Sequence, residues 1–298
     1  MCGIVGLFLK AKTLQPELGA LTAQMLAVMG DRGPDSGGFA VYSAARPGRV
    51  KLTLRRAADV DGTALQQEIE RLIAQSVELV TRNTHAVLSI PASAERDICA
   101  WLTARHPKID IVGTGRNMEL YKEVGHPAQV ADLFGLAAMS GTHAIAHTRM
   151  ATESLVTTKG AHPFSTGPDQ CLVHNGSLSN HHAVRRCLER EGLSFSTDND
   201  SEVAAGYLTW RMSQGMELRQ ALEASLADLD GFYTFVVGTR SGFAVLRDPI
   251  ACKPAVMAET ADYVAFGSEY RALAGLPGIE EARVFEPEPA TVYVWEHD

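Results

Sequence analysis

Residues 2–8 (CGIVGLF) form an unbroken run of apolar and small residues, which predicts a strand buried on both faces. Leu14, Leu18, Leu21, Met25 and Val28 then recur at helical spacing and predict an amphipathic helix over 14–29. The segment Asp31-Arg32-Gly33-Pro34-Asp35-Ser36-Gly37-Gly38 is dense in turn formers, and a strand is expected near 39–43. From 143 onward the pattern predicts strands at 143–149, 171–174, 232–238, 242–247, 254–258, 263–267 and 291–295. Helices are expected at 179–191, 200–213, 217–229 and 269–274. Leu218, Leu222, Leu226 and Leu229 line one helical face, the mark of a core stripe. The runs 232–238 and 242–247 read as a hairpin, so their strands are antiparallel. Helices come in adjacent runs, without strict strand-helix alternation. Both features favour α+β layers over a doubly wound parallel sheet.

Residues 46–140 read as an α/β elaboration on this plan. Leu65, Ile69, Leu72, Ile73, Leu79 and Val80 suggest one long helix. Short strands are expected at 87–90 and 109–112, and helices at 95–105 and 128–139. Gly113-Thr114-Gly115-Arg116-Asn117 looks like half of a phosphate loop, a weak signal without the rest of the motif.

Composition narrows the class. The 298 residues are 46% hydrophobic and 21% charged, in the range of a globular chain with a full core. A net charge of −8 and scattered basic residues argue against nucleic acid, and no stretch reaches the length of a membrane span. Cys2, Cys99, Cys171, Cys187 and Cys252 are odd in number and match no zinc spacing. With no signal peptide recognisable, a reducing, cytoplasmic location is expected, and no metal or organic cofactor.

The candidate chemistry lies in four places. Removal of Met1 would leave Cys2 with a thiol and a free α-amine on one residue, a nucleophile beside a base whose pKa of about 7.7–8.0 suits proton transfer near neutrality. N-terminal nucleophiles are activated in this way. Arg149 stands at the end of an apolar strand in His147-Thr148-Arg149-Met150-Ala151-Thr152, where a guanidinium can hold a carboxylate by two bonds. In Val173-His174-Asn175-Gly176, Asn-Gly alone reads as a turn, but the Asn175 amide and the Gly176 N–H are two donors that could stabilise an oxyanion. Thr197-Asp198-Asn199-Asp200-Ser201-Glu202 reads as a helix start; an Asp there could also bind an ammonium group. Together, a thiol, two oxyanion donors, a carboxylate-binding Arg and an ammonium-binding Asp describe a site for an α-amino acid with a side-chain amide.

These stretches resemble the class II glutamine amidotransferases, whose glutaminase domain is of the N-terminal-nucleophile (Ntn) type. The matching segments are MCGIVGLF at 1–8, RGPDSGG at 32–38, IAHTRMAT at 145–152, HPF at 162–164, LVHNGSLSN at 172–180 and DNDSEV at 198–203. DGFYTFVV at 230–237, RDPIACKP at 247–254 and FGSEYRAL at 266–273 continue the pattern. The resemblance implies a four-layer αββα sandwich of antiparallel sheets over 2–298, interrupted by the elaboration at 46–140. It implies Cys2 as nucleophile, Asn175 and Gly176 as oxyanion hole, Arg149 and Asp200 as partners of the glutamine α-carboxylate and α-amine, and Thr152 as a further glutamine contact. Met150 stands where many members have an aromatic residue, and Glu153-Ser154 where many have His-Gly. No synthase domain follows, so acceptor chemistry is expected on separate synthase subunits of the glutamate synthase-like kind. The opening GIVGLFLK, RGPDSGG and the 46–140 segment are similar to the small subunit of N-methylglutamate synthases. A free-standing γ-glutamyl amide hydrolase and a non-catalytic scaffold or sensor subunit are the competing readings.

Overall fold

The computed structural model describes residues 2–150 and 155–297. Numbered in chain order, one antiparallel sheet contains β1 (Gly3–Leu9), β2 (Ser36–Tyr42), β7 (Met118–Val124), β8 (His143–Arg149), β13 (Val256–Glu259), β14 (Tyr263–Gly267) and β15 (Arg283–Phe285). Their order is β15-β13-β14-β1-β8-β2-β7. A second sheet contains β9 (Phe164–Gly167), β10 (Gln170–Leu178), β11 (Gly231–Gly238), β12 (Gly242–Arg247) and β16 (Thr291–Glu296), in the order β16-β12-β11-β10-β9.

The two sheets face each other across a core that includes Ile4, Phe8, Ile145, Val173, Val236, Phe243, Val264 and Phe266. The outer face of the first sheet packs against α1 (Leu18–Val28) and α4 (Pro127–Phe134) through Val5, Leu7, Leu9, Met25, Leu26 and Phe134. The outer face of the second packs against α5 (His181–Arg190), α6 (Asp200–Ser213) and α7 (Leu218–Asp228) through Leu172, Leu178, Leu188, Leu208 and Leu222. This is the expected αββα sandwich. It explains why β1 is apolar throughout: its successive side chains enter opposite cores.

The remaining strands, β3 (Arg49–Arg56), β4 (Glu78–Arg82), β5 (His85–Pro91) and β6 (Ile109–Gly115), form a third antiparallel sheet ordered β4-β5-β3-β6. With α2 (Gly62–Ile73) and α3 (Glu95–Arg105) it encloses its own core of Leu52, Leu54, Leu65, Ile69, Leu88, Ile98 and Leu102. The chain segments that follow it, β7 and α4, belong to the first sheet and its helical layer.

Several expectations are corrected. The helix over 65–80 stops at Ile73, where Ala74 turns left-handed (φ +52°), and Leu79 and Val80 lie in β4. The helix over 14–29 begins as a 3₁₀ turn at Lys12–Glu17 containing Pro16, whose ring removes a helical donor, and becomes α-helical at Leu18. Gly135, at φ +69°, ends α4 and divides the helix expected over 128–139 into α4 and the 3₁₀ turn Leu136–Ala138. The helix expected at 269–274 is a 3₁₀ turn, Tyr270–Ala272. The half phosphate loop at 113–117 does present an anion-binding nest, but the chain fills it itself. The Asp169 carboxylate accepts the N–H groups of Arg116, Asn117 and Met118 at 2.8, 2.8 and 3.0 Å.

Candidate active site

Strand alternation assembles the site. Cys2 continues the face of β1 that carries Ile4 and Phe8 into the space between the sheets, and His147 continues that of Ile145 on β8. β1 begins where β8 ends: Gly3 pairs with Thr148, and the Gly3 N–H donates to Thr148 Oγ1 at 3.0 Å. From the facing sheet, Asn175 continues the inward face of Cys171 and Val173 on β10. His174 and Leu172 point the other way, toward α6.

Asn175 and Gly176 were expected at a turn. They lie inside β10 instead, paired with Thr234 and Tyr233 of β11. The expectation failed because a local turn signal competes here with eight consecutive residue pairings to β11. Gly176 still carries the irregularity that its sequence suggests: its φ is +148°, and a Cβ would lie 2.0 Å from the Phe232 carbonyl oxygen.

The Cys2 sulfur accepts the Met150 N–H at 3.4 Å. The Cys2 carbonyl accepts Arg32 Nε at 3.1 Å and Asn175 Nδ2 at 3.2 Å. Arg32 is itself held by an ion pair with Glu269. Ser268 Oγ accepts both the Ile4 N–H (2.9 Å) and Asn175 Nδ2 (3.2 Å), tying the first residues of β1 to β10.

His147 decides which way the Asn175 amide points. Its Nε2 faces the His174 carbonyl oxygen at 3.1 Å, an atom that can only accept, so Nε2 carries the proton. The Asn175 atom 3.2 Å from that nitrogen is therefore Oδ1, and Nδ2 is left for Cys2 and Ser268. Burial pushes His147 down to about 3, so the imidazole stays neutral and the tautomer is kept. His162 stacks on it at 4.0 Å and is pushed well below the usual histidine range, burial being the largest cause. His174 is also lowered by burial, opposed by Asp200, and shares a 2.9 Å hydrogen bond with Ser201.

A cavity of about 670 Å³ opens beside the thiol, lined among others by Cys2, Arg149, Met150, His162, Asn175 and Asp200. Arg149, at the end of β8, is buried and pairs through its backbone with the 30–36 loop: its carbonyl accepts the Asp35 N–H at 3.1 Å. Gly33 fits against that backbone; a Cβ there would meet Arg149 N at 2.7 Å. Asp200 is the first residue of α6, capped by Asn199, whose side chain accepts the Ser201 N–H at 2.8 Å. Asp200 Oδ2 accepts the Leu178 N–H at 2.9 Å, and Oδ1 lies 3.9 Å from His174. The cavity thus gathers the expected Cys2, Arg149, Asn175, Gly176 and Asp200. Thr152 and Met1 lie outside the described residues, as do Glu153 and Ser154.

Residue-by-residue reading of the sequence gave no part to His147, His162, Ser268, Glu269 or Glu202, though each stands inside a quoted motif. Glu202 is buried and takes four donors, the N–H and hydroxyl groups of Ser196 and Thr197, at 2.6–2.8 Å. It thereby holds the 196–199 turn that rims the cavity. Among the described residues, no group of three His, Cys, Asp or Glu side chains is arranged to hold a metal, and no helix is long and apolar enough to cross a membrane.

Comparison with known proteins agrees with this geometry. A family model described as a glutamine amidotransferase domain matches residues 147–275. The chain is 58% identical over 298 residues to the glutamine amidotransferase-like protein GlxB of Rhizobium meliloti, covering 100% of this chain and 99% of that one. It is 32% identical over 133 residues to the glutamine–fructose-6-phosphate aminotransferase of Vibrio vulnificus, covering 45% of this chain and 22% of that one. Among solved structures, the glutamine phosphoribosylpyrophosphate amidotransferase of B. subtilis shares the fold, with a TM-score of 0.62 at 19% identity. The match covers 99% of this chain and 47% of that longer protein. Sequence motifs, layered architecture and full-length similarity coincide: the chain belongs to the class II, N-terminal-nucleophile family of glutamine amidotransferases, a family of enzymes.

Proposed function

We propose that this chain opens the side-chain amide of glutamine through a thioester on Cys2, exposed as the N-terminal residue by loss of Met1. The observation that carries the reading is the position of Cys2. Its sulfur accepts a backbone N–H, its carbonyl touches the Asn175 amide, and it shares a cavity with Arg149 and Asp200. Arg149 takes the glutamine α-carboxylate and Asp200 its α-ammonium, which puts the amide at the thiol end of the cavity. The freed α-amine accepts the thiol proton and the sulfur attacks the amide carbon. Asn175 Nδ2 and the Gly176 N–H meet the developing oxyanion, each donor being worth a few kcal/mol. The nitrogen then leaves as ammonia with a returned proton, and water releases glutamate from the thioester. Thr152 is a further contact in this scheme.

We assign the activity to a single amidotransferase domain over 2–298, with the 46–140 segment as its elaboration, working in the cytoplasm beside a separate synthase subunit. The similarity of GIVGLFLK and RGPDSGG to N-methylglutamate synthase small subunits supports a partner of glutamate synthase-like kind. Intact mass spectrometry with a diazoketone analogue of glutamine tests the core of the proposal. Loss of Met1 and a single adduct on Cys2 are expected. Retained Met1 or an adduct on Cys99 would sink it. Full glutaminase turnover by the purified chain, with no gain from a partner, would favour the free-standing hydrolase.

A further inference from the structure

One buried cation lies outside the chemistry described so far. Lys122, on β7, is 5% exposed, and among the described residues it makes no ion pair. Its ammonium donates to the carbonyl oxygens of Lys159 (3.1 Å), Ala161 (2.8 Å) and Pro163 (3.3 Å), and lies 4.5 Å from the centre of the Phe164 ring. Alternate carbonyls of one segment therefore curl around a single charge, using all three of its donors. The same segment borders the cavity: Thr157, Gly160 and His162 line it, and a Cβ on Gly160 would come within 3.3 Å of Arg149 Nη1. The next residue of β7 repeats the arrangement. The Glu123 carboxylate accepts the Thr158 hydroxyl on one oxygen and the Thr84 hydroxyl, from the turn between β4 and β5, on the other (2.9 Å). Lys159 reaches Asp110 of β6 at 2.8 Å. The third sheet is thus joined by side chains to the segment that walls the cavity.

We propose that Lys122 and Glu123 are positioning residues for the glutamine pocket: they hold segment 157–163 from behind and couple the third sheet to the wall that carries His162. The inference rests on reading the cavity as the glutamine site. The held segment meets the pocket at its binding end: Gly160 lies against the Arg149 guanidinium, and carbonyls 161 and 163 flank His162 on the cavity wall. The groups facing Lys122 are Glu202 of α6, Asp110 of β6 and Arg55 of β3, with Lys159 and the neutral His162 on the held segment. Burial outweighs the two carboxylates and brings the Lys122 ammonium down to about 8. The clamp is therefore complete below that pH and loses a donor above it.

The test uses the full chain and the inactivation of Cys2 by the diazoketone analogue, separating its binding constant KI from the rate constant at saturation. Lys122→Met should raise KI about tenfold, the scale of a lost charged hydrogen bond, while changing the saturating rate less than twofold. Lys122→Arg should restore most of the affinity, and alkylation of Cys2 by iodoacetamide should not change. In the unsubstituted chain KI should rise between about pH 7.5 and pH 9, more than in Lys122→Arg, which corrects for the analogue's own amine. If Lys122→Met does not fold, Thr158→Val reports instead, with an expected KI increase of about threefold. Unchanged KI in the folded variants, a parallel loss of iodoacetamide reactivity, or pH curves that coincide for the unsubstituted chain and Lys122→Arg would overturn the clamp. Absence of any adduct on Cys2 in the unsubstituted chain would overturn the site itself, a separate result.

Discussion

The paired sheets and the third sheet solve the same packing problem differently. Each strand at the centre of the pair is buried on both faces, and several polar groups inside it find individual partners. His143, for example, stacks on Tyr42 at 4.1 Å and bonds the Thr239 carbonyl at 2.8 Å. The third sheet has one core, closed by α2 and α3, and its β4 edge is largely exposed. The cavity beside Cys2 takes Arg149, Asn175 and Gly176 from the pair, with Cys2 just ahead of β1 and Asp200 from the start of α6. The third sheet is joined to its wall through β7 and the 157–163 segment. Chemistry that needs fixed geometry is placed where the backbone is confined on both faces.

The largest effect expected from breaking this division is at Cys2, the proposed nucleophile. Cys2→Ala should lower glutaminase turnover by about 10³-fold or more, with the melting temperature shifted by only a few degrees. Turnover within tenfold of the unsubstituted chain would remove Cys2 from the mechanism. Asn175→Ala should cost about 10²–10³ in kcat, as removal of one oxyanion donor does, with a much smaller change in KM. A dominant KM effect would instead make Asn175 a binding group.

Stability experiments sharpen the same contrast. Phe243→Ala, between the paired sheets, should destabilise the fold by about 3–5 kcal/mol and reduce activity with it, measured by urea unfolding and turnover together. Leu88→Ala, in the third core, should cost about 2–5 kcal/mol yet leave the rate of Cys2 labelling by iodoacetamide near normal. Equal loss of labelling in both would show that the two cores unfold as one.

The smallest effect is expected in acid. His143 and His147 are pushed down to about 3 by burial, and His85, the first residue of β5, to about 4. Their folded forms bind protons less readily than the unfolded chain, whose histidines titrate near about 6.5. Stability from these residues is complete above about pH 6.5 and is lost as pH falls toward about 4 for His85 and about 3 for His143 and His147. His143→Gln should flatten the fall in melting temperature between pH 7 and 5; an unchanged slope would exclude His143 as a contributor.

Much of the site was legible as a set. A cysteine at position 2, an arginine ending an apolar strand and an aspartate opening a helix are each ordinary alone, but together they fit one amino-acid substrate. The supporting layer was harder to see. Ser268 and Glu269 lie far along the chain from Arg32 and meet the start of β1 with it because β14 and β8 flank β1 and the 30–36 loop returns to the end of β8. Lys122 looks like any polar residue of an edge strand, until three carbonyls from residues 159–163 close over it.

The sequence alone determined the class of chemistry and the α+β layering, since both depend on residue type, short-range period and motif order. Tertiary structure decided three things that local pattern could not. It drew Asn175-Gly176 into a strand, because pairing along β11 outweighs a two-residue turn preference. It closed the nest at 116–118 with Asp169, a carboxylate supplied from about fifty residues away. And it set the direction of the Asn175 amide, because only the His174 carbonyl, brought against β8 by the packing of the two sheets, fixes the proton on His147.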